Sequence, residues 1–316
     1  MASRANNSSE KKQTFAFLGP VGTFTELALA QIAEAKGQMH TPVAHVQEAI
    51  DLVLSKRADR AVIPVENSIE GGVSATLDAL AKTDNIRIYG EYLVPVTFNL
   101  VARPGTTEKD VRVIATHPVA YAQTRKWLQA NFPKHTHLPA TSTAAAAAAL
   151  LDSDAADAAV AASTITDHYK LKTLARNIGE YSHAQTRFIQ IGLAKKGATP
   201  AATGADKTSV IVELPSDRAG ALLELLEQFA ARGVNLSRIE SRPIGDRLGR
   251  YRFNIDAQGH ITDSAVAEAL MGLHRFSPMV QYLGSYPRAD RGKSVHEGNN
   301  SNTEFGSAEK WLKGLL

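Results

Sequence analysis

Three short turns carry most of the hydroxyl and amide groups that could do chemistry early in the chain: Gly22-Thr23-Phe24-Thr25, Glu66-Asn67-Ser68 and Thr141-Ser142-Thr143. Each follows an apolar stretch and leads into a helical one. Ligands of α/β sheets sit beyond the carboxyl ends of the strands. Helix N-termini there offer unpaired N–H groups and the positive end of the helix dipole, and hydroxyls add further donors. The pattern fits a small polar anion held between two lobes. Taken singly, each turn is also what an ordinary helix cap looks like. A further pair, Thr186 and Arg187, stands at the mouth of a strand in "YSHAQTRFIQIG". Arg187 suits a carboxylate. Strand alternation sets it against Thr186, which would make it structural or let it bind from a bend, and a surface salt bridge is the other possibility.

The elements around these residues follow an α/β rhythm. "TFAFLGP" is a strand, and "VGTFTELALAQIAEAKG" gives a helix with Ala28, Leu29, Ile32 and Ala33 on one stripe. Strand and helix alternate through "VSATLDALAKTD". "IRIYGEYLVPVTFNLVARPG" is a long extended segment that crosses to a second lobe. The run from Ala144 is helix by propensity alone. After "AKKGATPAATGAD", a linker by composition, the order becomes β-α-β-β-α-β, a ferredoxin-like unit. The expected divisions are a disordered lead over residues 1–13, a two-lobed region over 14–195 with its second lobe at about 95–180, and a linker over 196–206. A second domain follows over 207–287, then a polar tail over 288–316 with a short helix in "AEKWLKGLL".

Composition narrows the function. The 316 residues carry a net charge of +3 and are 44% hydrophobic, which fits a globular protein and not a nucleic-acid binder. Cysteine is absent, so disulfides, thiolate nucleophiles and cysteine-bound metals are out. No apolar run approaches the length of a membrane helix, and "MASRANNSSEKKQ" lacks a signal-peptide core. A cytoplasmic location is the expectation. There is no GxGxxG, Walker A, HExxH or G-x-S-x-G pattern. The residues themselves therefore say anion-binding two-lobe protein and leave the reaction open.

In order along residues 14 to 286, "FLGPVGTFTE", "AVIPVENSIEGGVSATLDAL", "HPVAYAQTRKWL", "TSTAAAAAAL", "AAVAAS" and "TRFIQIG" resemble the successive motifs of prephenate dehydratases. "GALLELLEQFAARGVNLSRIESRP" resembles the regulatory ACT domain of the same family. The resemblance implies a catalytic region folded like type II periplasmic binding proteins, followed by the βαββαβ ACT domain. It implies conversion of prephenate to phenylpyruvate, water and CO2 on the way to phenylalanine, with no cofactor and no metal. Thr186 is then the catalytic residue. Thr23, Thr25, Glu66, Asn67, Ser68, Ser142, Thr143, Arg187 and Phe188 bind or support substrate. Gly220, Ala221, Leu222, Asn235, Leu236, Glu240, Ser241, Arg242 and Pro243 bind L-phenylalanine across a homodimer or homotetramer formed by ACT domains. The chain departs from many members in carrying Ala184 two places before Thr186, where they have Asn. With 13 residues ahead of the first strand, no fused mutase domain is expected. Two other functions fit the same elements: dehydration of the amino analogue arogenate, and a non-catalytic small-anion or amino-acid sensor.

Overall fold

A computed structural model describes residues 12–246, 249–293 and 298–316. The expected lead over residues 1–13 therefore lies outside the described residues except for its last two positions.

The first lobe begins with β1 (Thr14–Leu18), α1 (Phe24–Ala30), β2 (Met39–Val43), α2 (Val46–Leu54) and β3 (Arg60–Asn67). A two-residue strand β4 (Gly71–Gly72), α3 (Ser74–Ala81) and the long β5 (Ile86–Pro95) follow. The chain then crosses into the second lobe, built from β6 (Phe98–Ala102), β7 (Val113–Thr116), α4 (Pro118–Asn131), β8 (Thr136–Pro139), α5 (Thr143–Asp152), β9 (Ala158–Ala162), α6 (Ile165–His168) and β10 (Lys172–Ala175). It returns to the first lobe through β11 (Gln185–Leu193).

The first sheet runs β2-β1-β3-β11-β5, and the second runs β10-β6-β9-β7-β8. In the first, β1 pairs in parallel with β2 and β3, and the returning β11 inserts antiparallel between β3 and β5. One face of this sheet packs Phe15, Phe17 and Phe188 against α1, and the other packs Ile63, Ile189 and Ile191 against α2 and α3. The second lobe owes its close packing to small residues. The alanines of α5 lie on the fully buried "AAVAA" strand β9.

The C-terminal domain is β12 (Asp206–Glu213), α7 (Ala221–Ala230), β13 (Leu236–Pro243), β14 (Tyr251–Gln258), α8 (Ser264–Phe276) and β15 (Val280–Pro287), in sheet order β13-β14-β12-β15. This is the β-α-β-β-α-β order read from the sequence. Its inner face, with Val210, Phe253 and Ile255, packs on α7 and α8. Its outer face lies on the first lobe: Ile211, Leu283 and Tyr286 join the same apolar cluster as Ile63 and Ile88. Gly284 sits so close that a Cβ there would stand 2.5 Å from the Ile88 carbonyl oxygen. A last helix, α9 (Asn302–Lys313), starts ahead of "AEKWLKGLL" and rests on α8. Among the described residues, no helix is long and apolar enough to cross a membrane.

Candidate active site

Between the two lobes lies a cavity of about 250 Å³. Its wall includes Thr23, Phe24 and Thr25 from the start of α1, and Asn67 from the end of β3. Thr141, Ser142 and Thr143 come from the start of α5, and Thr186 and Phe188 from β11. All three strand-end turns thus meet in one place. His117, Val119, Ala120 and Gln123, at the start of α4, add a fourth. Phe24 of one lobe and Phe98 of the other meet edge to face at 5.7 Å, giving the cavity an apolar wall that spans the lobes.

The helix starts carry their caps. Ser142 Oγ accepts from Ala145 N at 2.9 Å, and His117 Nδ1 accepts from Val119 N at 3.3 Å. Thr23 donates its hydroxyl to the Leu18 carbonyl at 3.2 Å. Two features favour glycine at position 22. Its φ of 82° lies in the left-handed region, and a Cβ would stand 2.6 Å from Ile165 Cδ1 of the second lobe. Nearby, Glu26 Oε2 accepts from Gly22 N and meets His168 Nε2 of the second lobe at 2.9 Å. The lobes therefore touch at the rim.

Thr186 is 9% exposed, and its Oγ1 accepts a hydrogen bond from Asn67 Nδ2 at 3.0 Å. The orientation of the amide follows from its other end. Asn67 Oδ1 accepts from Ile69 N at 2.9 Å and Glu70 N at 3.3 Å, so the NH₂ must face Thr186. Thr186 is left with its own proton to donate into the cavity. The backbone beneath this pair is irregular: the β3–β11 register slips between Arg187 and Phe188, leaving Val65 unpaired in the ladder. Such bulges re-aim side chains at strand ends.

Glu66 and Arg187 do not line the cavity; strand alternation turns both to the opposite face. There the Arg187 guanidinium is buried among carboxylates. Its Nη1 donates to Asp256 at 2.6 Å and to Glu66 at 3.2 Å, Nε lies 2.6 Å from Glu91, and Nη2 donates to the Tyr286 hydroxyl at 3.0 Å. Arg238 Nε donates to Asp256 at 2.9 Å, and Lys207 meets Glu91 at 2.9 Å. Burial alone would raise the Asp256 carboxyl, but the Arg187 and Arg238 guanidiniums outweigh it and hold the pKa well below the usual carboxylate range. Ser68 also stands outside the cavity wall. It is exposed, its Oγ accepts from Gln185 N at 2.9 Å, and its N–H donates to the Gln185 carbonyl at 2.9 Å. This exchange, with Val96 N donating to the Ala184 carbonyl at 2.8 Å, shapes the loop that carries Ala184.

In the C-terminal domain, Gly220 has φ of 83° and opens α7, with Ala221 buried and Leu222 exposed beyond it. Asn235 precedes β13 and is exposed, and Leu236 opens the strand. Along β13 the side chains alternate. Ser241 and Pro243 are exposed. Glu240 pairs with Arg238 and reaches Gly72, and Arg242 pairs with Asp78 at 2.7 Å. Two members of the "ESRP" stretch are therefore engaged with the first lobe. A separate pocket of about 350 Å³, lined by Leu214 to Asp217 and by Gly249, Arg250 and Tyr251, includes none of the expected effector residues.

Sequence reasoning missed His117 and Gln123 as cavity residues. The signal was available in "IATHPVAYAQ", a fourth strand–turn–helix step of the same kind as the other three.

A family model for prephenate dehydratase matches residues 15–196, and one for the ACT domain matches residues 208–275. A prephenate dehydratase of Mycobacterium marinum is 43% identical over 280 residues, spanning 86% of this chain and 88% of that one. Among solved structures, prephenate dehydratase from Arthrobacter aurescens in complex with L-Phe is 50% identical with a TM-score of 0.91, covering 96% of this chain and 99% of that one. GqqA, described as a novel type of quorum quenching acylase, is 29% identical with a TM-score of 0.77, covering 87% of this chain and 98% of that one.

Proposed function

The chain belongs to the prephenate dehydratase family, and from that premise we propose that it takes prephenate to phenylpyruvate, water and CO2 in the cleft between its lobes. The observation that carries the proposal is the Thr186–Asn67 pair, in which Asn67 donates and leaves the Thr186 proton free. Loss of CO2 and hydroxide from prephenate creates an aromatic ring, so no electron sink is needed. The leaving hydroxide needs a donor. Thr186 supplies that hydrogen bond to the departing oxygen as charge develops on it. The side-chain carboxylate of the substrate lies toward the starts of α4 and α5, where N–H groups and the hydroxyls of Ser142 and Thr143 converge. The ring carboxylate lies toward Phe24, Phe98 and Phe188. A poorly solvating wall there avoids stabilising the group that must leave.

L-phenylalanine is the effector, acting through the C-terminal domain. The L-Phe complex of the Arthrobacter aurescens enzyme supports this. Two copies pair through these domains into a homodimer or homotetramer, supported by the exposed apolar side chains of Leu223, Ile239 and Met271. We place the enzyme in the cytoplasm.

The test is phenylpyruvate formation from purified prephenate, with and without L-phenylalanine and with no metal or nucleotide added. Turnover modulated by L-phenylalanine is the expected result. Stoichiometric prephenate binding without turnover would favour a sensor, and turnover of arogenate alone would move the substrate to the amino analogue. Since a related fold carries an acylase description, fold alone does not decide the matter.

A further inference from the structure

Thr186 and Arg187 are consecutive on β11 and face opposite sides of the sheet. Whatever fixes the Arg187 side chain therefore acts on the backbone that aims Thr186. Asn67 and Glu66 form the matching pair on β3, paired across from Thr186 and Arg187 respectively. Just below them the ladder slips at Val65, so the end of β3 is not held by an unbroken row of backbone hydrogen bonds. Beyond that slip the Arg187–Glu66 contact at 3.2 Å ties the two strand ends together on one face, as the Asn67–Thr186 bond at 3.0 Å does on the other.

Arg187 is held by three carboxylates, two of them shared with Lys207 and Arg238. Glu91, on the neighbouring strand β5, already lies 2.6 Å from Nε. Asp256 and Tyr286, both from the C-terminal domain, add contacts at 2.6 and 3.0 Å that fix the direction of the guanidinium plane. These two are themselves held. Ser209 Oγ donates to Asp256 and bonds the Tyr286 hydroxyl, each at 2.5 Å, and Arg238 donates to Asp256 at 2.9 Å. Asp256 is fully buried. The C-terminal domain thus presents a rigid, charged anchor to the residue beside the cleft threonine.

We propose, resting on Thr186 as the reacting group, that Asp256 and Tyr286 are positioning residues for the dehydration. They hold Arg187, and Arg187 with Glu66 keeps the Thr186–Asn67 pair aimed at the cleft. The cleft is completed by the C-terminal domain, before any effector binds.

The experiment compares the full-length chain carrying Asp256→Asn, which keeps the shape and removes the charge, in two backgrounds: native Thr186 and Thr186→Ala. Steady-state kcat and KM for prephenate are measured for all four proteins. In the native background, kcat falls about tenfold with KM within about twofold, as expected for a misaimed group with intact binding. In the Thr186→Ala background the further loss is under about twofold, because the group that Asp256 aims is already gone. An equal loss in both backgrounds, or none in the native one, overturns the proposal. A Thr186→Ala enzyme with native kcat would instead remove the premise about Thr186, which is a different outcome. Should Asp256→Asn fail to fold by circular dichroism, Tyr286→Phe carries the test. It loses the hydroxyl that accepts from Arg187, with an expected loss of about threefold in the native background alone. Unchanged kcat, or the same loss in both backgrounds, overturns the proposal there too.

Discussion

The two faces of β11 differ in a way that runs against intuition. The cleft face carries Thr186 and Phe188 and is poor in charge, with the apolar Val96 and Phe98 among its neighbours. The interdomain face carries Arg187 among Glu66, Glu91 and Asp256, with Lys207 and Arg238 beside them. The dense charge is where two domains meet, and the reacting group is proposed where charge is sparse. An elimination driven by ring aromatisation needs one aimed donor and a site that does not over-stabilise the departing carboxylate. A contact between domains that sets an angle needs directional, fully paired charges. The depressed pKa of Asp256 marks the interdomain face, away from the proposed reacting group, so a perturbed pKa is a poor guide to the chemistry here.

The largest expected effect tests the cleft face. Thr186→Ala lowers kcat by about 10²-fold to 10³-fold, the size of losing one aimed donor, while KM for prephenate changes by less than about threefold. Phenylpyruvate formation checks both, and a loss confined to KM would make Thr186 a binding residue. Next comes the interdomain face. Asp256→Ala strips the shared anion from Arg187 and Arg238 and lowers unfolding free energy by about 3–5 kcal/mol, read from urea melts at neutral pH. The same face predicts a pH signature. Because the folded Asp256 pKa is depressed, its stabilisation is complete above the unfolded value of about 3.9 and is lost as pH falls through the folded value. The stability gap between the native chain and Asp256→Asn therefore stays constant from about pH 8 to pH 5 and narrows only in stronger acid. The smallest effect is at the rim of the cleft. Ser142→Ala removes the α5 cap and costs about 1 kcal/mol of stability, and KM should rise by a few-fold if the hydroxyl also meets the substrate carboxylate.

Much of this contrast was legible in the chain itself. Strand alternation alone sets Thr186 against Arg187, and it should have done the same for Glu66 beside Asn67. The hydroxyl-bearing turns at Thr23 and Ser142 announced the helix starts that meet in the cleft, although only Ser142 caps its helix through its side chain. What could not be read was the partner of Arg187: Asp256 lies 69 residues downstream in a different domain, and no local pattern links them. The bulge at Val65 had a signal that was passed over: Pro64 stands inside a central strand, where a residue with no N–H to give the ladder marks an irregularity. In β13 the alternation of Glu240 and Arg242 against Ser241 was visible, but the first-lobe partner Asp78 was not.

The shared apolar cluster has one more consequence. Ile211, Leu283 and Tyr286 of the C-terminal domain are packed with Ile63, Ile88 and Ile189 of the first lobe as a single core. Neither unit can be pried off without exposing the other's interior. Regulatory and catalytic parts are thus fused into one cooperative block, whereas the second lobe builds clusters of its own and meets the first through a few contacts such as Phe24 on Phe98.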